Sequence, residues 1–367
     1  MRSFADVPAT VERLLASGER ARVAVVLLDA FGRRFLERHA GHPFLRRLTV
    51  TPLASQFPST TTAHVTTMHT GRPVGAHGLY EWHVYEPALD AIVTPLRFSY
   101  ARDDERDTLR ASGLDPATLL DGGDTLYQRL AAAGVPSTVL QPSAFSPSTY
   151  DRVATRGAQL RPFGSFAEGV DALVGALQQP GYAYLYTDRI DAAGHHHGPA
   201  SREFDDAAIA ALDTLERGLK DVPGALLLVT ADHGQLAVDP AQVDYLDELW
   251  SGLPALLCHR PAGSGRDVFL HTLPGAAAEV AAVLADRLEA RAEVHLVADL
   301  VAAGTFGAAG PRLRARLGDV CVLPAPGRTA WLRSAAGASQ RFRGHHGGLH
   351  PDEMDTWVGA LELGGYS

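Results

Sequence analysis

Three clusters of carboxylates and imidazoles punctuate this chain, each placed where an apolar run ends or a glycine-rich turn begins. Asp191-Ala192-Ala193-Gly194-His195 sets an acid and an imidazole four residues apart. The two converge on one cation if the intervening loop curls back, a turn that Gly194 eases. Asp232-His233-Gly234 follows the run Ala225–Thr230. Adjacent residues diverge from an extended chain, but at an irregular strand end both reach one ion. His345-His346-Gly347-Gly348 is the third cluster, and a lone acid, Asp29, ends the run Arg22–Leu28. Carboxylates and imidazoles without thiolates suit two borderline divalent ions such as Zn²⁺ or Mn²⁺. A fourth feature, Ser59-Thr60-Thr61-Thr62-Ala63-His64, gathers hydroxyls at the start of a helical pattern. Backbone N–H groups and the helix dipole there favour an anionic phosphoryl group. Taken singly, each feature has a plainer explanation. A Ser/Thr run before a helix is ordinarily an N-cap, a strand-end Asp is ordinarily a turn residue, and the run His195-His196-His197 is ordinarily an exposed tract. Their joint occurrence argues for chemistry.

The elements that must position these residues follow from periodicity. Residues 22–29, 182–186 and 225–230 are continuous apolar runs, the pattern of strands buried on both faces of a parallel sheet. In such sheets sites assemble at the carboxyl ends of strands, where Asp29, Asp191 and Asp232 lie. Further strands are expected at 48–54 and 137–140. Helices are expected at 8–17, 33–39, 63–69, 125–133, 166–178 and 202–219, the last with Phe204, Ala208, Ala211, Leu212, Leu215 and Leu219 along one face. The character shifts at residue 237. Strands at 268–270 and 294–296 flank an Ala-rich helix over 276–290. The expected architecture is α/β, a mixed and mostly parallel sheet with helices on both faces. Residues 1–236 and 338–367 form its core, and 237–337 form a small inserted α/β cap.

Composition narrows the function classes. The chain has 367 residues, 46% hydrophobic, enough for a sizeable core. Asp+Glu 42 against Lys+Arg 33 leaves a net charge of −9 and no basic tract, so a nucleic-acid polymer is not the expected partner. Two cysteines, Cys258 and Cys321, exclude a disulfide framework. The N-terminus lacks a signal-peptide pattern and no apolar run reaches transmembrane length. A cytoplasmic protein with no membrane partner is expected. Oligomeric state is not legible.

The set resembles a known family. Asp29 at a strand end, Phe57-Pro58-Ser59-Thr60-Thr61 before a helix ending in Thr70-Gly71, Asp191-x-x-Gly194-His195 with Gly198-Pro199, Asp232-His233-Gly234 and His346-Gly347-Gly348 are similar to the alkaline phosphatase superfamily. The nearest branch is the type I phosphodiesterase/nucleotide pyrophosphatase group. The resemblance runs from about residue 22 to 350 in the expected order. It implies one divalent metal on Asp191, His195 and His346, and a second on Asp29, Asp232, His233 and the nucleophile. Zn²⁺ is the first expectation and Mn²⁺ the second. Counting back from Gly71 in the register of that branch gives Thr61 as nucleophile, with Thr60 and Thr62 as competitors. His345 competes with His346 as ligand. The implied function is a two-metal phosphoric diester hydrolase acting on a small-molecule phosphate ester through a phosphorylated Thr61.

One departure bears on substrate. Nucleotide pyrophosphatases usually carry an Asn soon after the His-Gly that follows the nucleophile helix, and here His77-Gly78-Leu79-Tyr80-Glu81-Trp82 puts Trp82 in that place. Tyr80, Trp82 and Tyr85 are candidates to stack on a base or sugar, or else are packing residues. No arginine matches the monoester clamp of alkaline phosphatases proper. A phosphomonoesterase or phosphonate hydrolase on the same fold is the alternative enzyme. A metal-binding interaction protein without turnover is the alternative from another class. The absence of a Cys-x-Pro-x-Arg motif disfavours a sulfatase.

Overall fold

The computed structural model describes residues 1–120, 123–220, 222, 224–335, 337 and 341–364. Its largest sheet has seven strands: β1 (Arg22–Leu28), β2 (Thr49–Ala54), β3 (Ser137–Pro142), β4 (Gln159–Phe163), β5 (Gly181–Thr187), β6 (Ala225–Thr230) and β7 (Asp355–Leu363). Their order across the sheet is β2-β7-β6-β1-β5-β3-β4. β1 pairs in parallel with both β5 and β6, and β3 pairs in parallel with β4 and β5. β7 runs antiparallel to β2 and β6. The expected mostly parallel sheet is what forms.

β1 shows why the apolar runs are continuous. Its alternate residues point to opposite faces, and both faces are covered. Val23, Val25 and Leu27 pack with Val7 and Val11 of the helix Asp6–Ala16, Val65 and Met68 of Thr61–Thr70, and Leu130 of Leu126–Ala132. Ala24, Val26 and Leu28 pack with Phe35 of Arg33–Arg38, Leu173 of Phe166–Ala176 and Leu212 of Arg202–Gly218. A strand with helices on both sides has no solvent face on which to place polar residues.

Two strands of this sheet lie outside the sequence expectation. β4 is a largely exposed edge strand, Gln159-Leu160-Arg161-Pro162-Phe163, so it carries no apolar run. β7 supplies Trp357 and Val358 to the core and inserts between β2 and β6 after the glycine-rich turn at 347–348.

Residues Ala262–Ser264, Asp267–Leu270, Val320–Pro324 and Ala292–Leu296 form a separate antiparallel sheet in that spatial order. The helix Ala277–Leu288 covers it through Val280, Leu284 and Leu288. The strand Leu236–Tyr245 pairs with Gly327–Trp331 and, at its start, with Gly344–His345. Among the described residues, no helix is long and apolar enough to cross a membrane.

Candidate metal and phosphoryl-transfer site

β6, β1 and β5 are neighbours at the centre of the sheet, and the site is built where they end. Asp29 directly follows β1, and Asp232 follows β6 by two residues. Beyond β5 the structure corrects the expectation. Residues Arg189–His197 form a helix, so Asp191 and His195 meet as i and i+4 neighbours on one helical face, not across a curled loop. Their Oδ2 and Nε2 atoms lie 3.2 Å apart. Gly194 serves close packing instead. A Cβ there would lie 1.9 Å from Oε1 of Gln235, whose Nε2 donates to Asp191 Oδ1 at 2.6 Å. Gln235 thus orients one predicted ligand, and no motif marked it in the sequence. His196 and His197 are exposed, in line with the plainer explanation for that run.

The hydroxyl cluster divides its labour. Thr60 is the N-cap of the helix Thr61–Thr70. Its side chain accepts from the Ala63 N–H and its hydroxyl donates to the Tyr80 carbonyl at 2.9 Å. Thr62 is buried. Thr61, the first helical residue, holds its Oγ1 at 3.3 and 3.4 Å from the Asp29 carboxylate and at 3.3 Å from His233 Nε2. His64 braces this helix start. Its Nδ1 donates to the Thr60 carbonyl at 2.6 Å, and its Nε2 accepts from the Gln56 N–H at 3.0 Å. Burial keeps His64 neutral, with its pKa pushed down to about 3.

Each imidazole of the predicted ligand set is turned by a backbone carbonyl. Nδ1 of His195, His233 and His346 faces the carbonyls of Gly344, Gly234 and Ser59 at 2.7, 3.0 and 2.9 Å. This fixes Nε2 toward the carboxylates, the usual outer-shell arrangement at a metal site. Asp191, His195 and His346 present one ligand atom each within 4.8 Å of one another, and so do Asp29, Asp232 and His233. His345 belongs to neither group. The rings of His233 and His346 stack at 3.8 Å, joining the two groups.

The electrostatics fit cations. Burial, with Asp232 and then Asp191 nearby, pushes the Asp29 carboxyl well above the usual range, although the Tyr186 hydroxyl donates to it. Burial also raises Asp232. Its Oδ1 accepts from the N–H groups of Ala30 and His233 at 3.1 and 3.0 Å, while its buried Oδ2 has no hydrogen-bond partner. Burial opposes ionisation of Asp191 too, but His195 outweighs it and holds that carboxyl below the usual range. Burial, then the His233 charge, drives His346 well below the ordinary imidazole value. Crowded carboxylates, an orphaned buried oxygen and imidazole Nε2 atoms aimed inward make a donor set suited to divalent ions.

A cavity of about 650 Å³ opens over Asp29, Thr61, Asp191, His195 and His346. Trp82 lines it and is 43% exposed. Tyr80 is a correction. It is 0% exposed, packs edge-on against Phe269 at 5.0 Å and donates its hydroxyl to the Arg316 carbonyl. A ring held in the core by that contact has no face left for a substrate. Tyr85 lies between His259 and His271 at 4.8 Å from each and is not among the residues that line the cavity.

Residues 23–349 match the family described as type I phosphodiesterase / nucleotide pyrophosphatase. The chain belongs to that family. It is therefore a hydrolase of the phosphate-ester class, and its fold is that of the alkaline phosphatase superfamily. No curated protein matches this family member by sequence. Among solved structures, murine ectonucleotide pyrophosphatase/phosphodiesterase 5, an inactive threonine-to-alanine variant in complex with AMP, is 17% identical with a TM-score of 0.70, over 93% of this chain and 88% of that one. Phosphonoacetate hydrolase from Sinorhizobium meliloti 1021, in complex with phosphonoacetate, is 18% identical with a TM-score of 0.69, over 95% of this chain and 92% of that one. At such identities the likeness is one of fold.

Proposed function

We propose that this chain hydrolyses phosphoric diesters of small molecules by way of a phosphorylated Thr61. The observation that carries this reading is the Thr61 hydroxyl at a helix start, 3.3 to 3.4 Å from Asp29 and His233. The ligand set read from the sequence is kept: Asp191, His195 and His346 for one divalent ion, and Asp29, Asp232, His233 and Thr61 for the other, with Zn²⁺ favoured over Mn²⁺. When bound, such ions supply Lewis-acid charge for the entering and departing oxygens.

The chain's own residues supply the rest. Thr61 Oγ1 forms a bond to phosphorus as the bond to the first leaving oxygen breaks, and the hydroxyl proton leaves toward the Asp29 carboxylate. The first-turn N–H groups of the helix Thr61–Thr70 and its dipole favour the phosphoryl oxygens. Water then cleaves the Thr61–phosphorus bond and restores the hydroxyl. Trp82, exposed at the cavity wall, offers its ring to the organic part of the substrate. The segment 237–337 acts as a cap, since Arg260, Gly263 and Trp331 line the same cavity. The inactive murine relative carries a threonine-to-alanine change, which supports a threonine nucleophile.

A phosphonate hydrolase is the second reading. It is favoured by Trp82 standing where the pyrophosphatases usually have an Asn, and by the likeness to phosphonoacetate hydrolase. The test compares bis-p-nitrophenyl phosphate, p-nitrophenyl phosphate and phosphonoacetate on protein loaded with Zn²⁺ or Mn²⁺. Preference for the diester is expected. A clear preference for the monoester or the phosphonate would overturn the diester assignment.

A further inference from the structure

The turn that carries His346 is held from two sides. On one, Ser59 Oγ donates to the Gly348 carbonyl at 2.9 Å and accepts from the Gly347 N–H at 3.1 Å. On the other, the Gly348 N–H donates to Glu353 Oε1 at 3.0 Å. Glu353 belongs to the short helix Pro351–Met354 and is fully buried. Its main chain reaches the second ligand group. The Glu353 carbonyl accepts from the Gly234 N–H at 3.0 Å, and the Gly234 carbonyl is the one that faces His233 Nδ1. One residue thus braces the turn of His346 through its side chain and the turn of His233 through its backbone.

The Glu353 carboxylate is itself held by the segment 237–337. Arg266 lies in the two-residue turn between the strands Ala262–Ser264 and Asp267–Leu270 and is buried. Its Nε and Nη2 meet Oε1 and Oε2 of Glu353 at 3.2 and 3.0 Å, a fork that sets the plane of the carboxylate as well as its charge balance. Nη1 faces the carbonyls of Pro324, Ala325 and Arg328 at 2.7, 2.9 and 2.9 Å, so the guanidinium is anchored in turn. The fit is close: a Cβ on Gly348 would lie 3.0 Å from Glu353 Oε2 and 3.3 Å from Arg266 Nη2. A wholly buried ion pair is weak evidence for stability, because desolvation offsets the attraction, and an apolar pair of similar volume often serves a fold as well. What an apolar pair lacks is an acceptor for the Gly348 N–H.

We propose that Arg266 and Glu353 are a positioning pair, through which the segment 237–337 fixes the His346-Gly347-Gly348 turn and so the direction of His346 Nε2. The proposal rests on His346 as a metal ligand. Neither Arg266 nor Glu353 is among the residues that line the cavity. They act through the turn, Arg266 by aiming Glu353 and Glu353 by holding Gly348 against the grip of Ser59.

The test measures Zn²⁺ affinity by chelator competition, and the melting temperature of metal-free protein, in two double variants. Arg266→Met with Glu353→Met removes the ion pair and the acceptor. Arg266→Met with Glu353→Gln removes the ion pair but keeps an acceptor oxygen for Gly348. The first is expected to bind one Zn²⁺ about ten- to a hundredfold more weakly, the range for losing an outer-shell partner, and the second to recover most of that loss. Wild-type affinity in the first, or an equal loss in both, overturns the pair. Should the first not fold, Arg266→Lys carries the test, since it keeps the charge and the Glu353 acceptor but not the fork. It is expected to bind one Zn²⁺ at least about threefold more weakly than wild type, and wild-type affinity there overturns the pair. His346→Ala separates the two readings. If it binds both Zn²⁺ ions as wild type does, the ligand reading has failed and the pair falls with it. If it loses one Zn²⁺ while the double variants lose none, the ligand reading stands and the pair alone is overturned.

Discussion

Thr61 differs from its neighbours by position, not by chemistry. All three threonines of the cluster carry the same hydroxyl, but Thr60 spends its own on the cap and on the Tyr80 carbonyl, and Thr62 turns inward. Thr61→Ala is therefore expected to lower turnover by at least about a thousandfold, the scale of removing a nucleophile, with metal content unchanged by elemental analysis. Thr60→Ala is expected to cost about 1 kcal/mol of stability as a lost cap and to keep most turnover. Activity kept in Thr61→Ala and lost in Thr60→Ala would move the nucleophile by one residue. Asp29, Asp191, His195, Asp232, His233 and His346 were legible in the sequence because acids and imidazoles at strand ends form short patterns. Gln235 and Tyr186 were not. Each is a single polar residue whose partner is fixed only when the sheet brings distant segments together. Tyr80 misled for the converse reason: an aromatic residue near a site has no sequence mark that separates core from wall.

Local pattern sets the elements well where one force dominates. Double-sided burial made β1, β5 and β6 readable. It gave no signal for the exposed edge β4. Gly194 and three histidines weaken the helix propensity of Arg189–His197, so the sequence alone does not mark it as a helix. Packing overrides that weakness, since Gly194 is where Gln235 crosses the helix. Gly194→Ala separates the two effects. Helix propensity alone gains roughly 1 kcal/mol from alanine, whereas a Cβ 1.9 Å from Gln235 Oε1 costs about 1–3 kcal/mol as overpacking. The clash is expected to win, with a lower melting temperature and weakened metal retention, because the displaced Gln235 releases Asp191. A rise in melting temperature would show that the side chain moves aside freely. The helix Thr61–Thr70 makes the same point from the other side. Residues 62–70 are all buried although most are polar. Their side chains are tied instead, Thr66 to Tyr150 at 2.8 Å, His69 to Tyr127 at 2.7 Å and Thr67 to the Ala63 carbonyl at 2.9 Å. A polar helix held at so many points fixes where its first hydroxyl stands.

At the scale of the molecule, the site joins segments from residue 29 to residue 346, so metal bound there stabilises the whole fold. Each site filled at a hundredfold excess over its Kd contributes about 2.7 kcal/mol. For a chain of this size that corresponds to several degrees of melting temperature, at roughly 2–4 °C per kcal/mol or somewhat less. Chelation should lower the melting temperature accordingly, and added Zn²⁺ or Mn²⁺ should restore it. The sign of the pH dependence follows from the ligands. Asp29 and Asp232 have raised pKa values in the folded chain. His195 is raised as well, because the Asp191 charge outweighs burial. In the absence of metal these groups hold protons more firmly folded than unfolded, so their contribution is present at low pH and is lost as pH rises through the folded values. Metal binding must displace the same protons, so protons compete with metal at low pH and the competition fades upward. The gap in melting temperature between loaded and chelated protein should therefore widen from pH 6 to pH 8. The histidines at His64, His69 and His77, lowered to about 3 by burial, destabilise both forms alike in acid and cancel from the gap. Scanning calorimetry on matched samples checks this directly. A gap that stays constant or narrows with rising pH would mean that the bound metal displaces no protons from these carboxylates and His195, and that the stabilising ligands lie elsewhere.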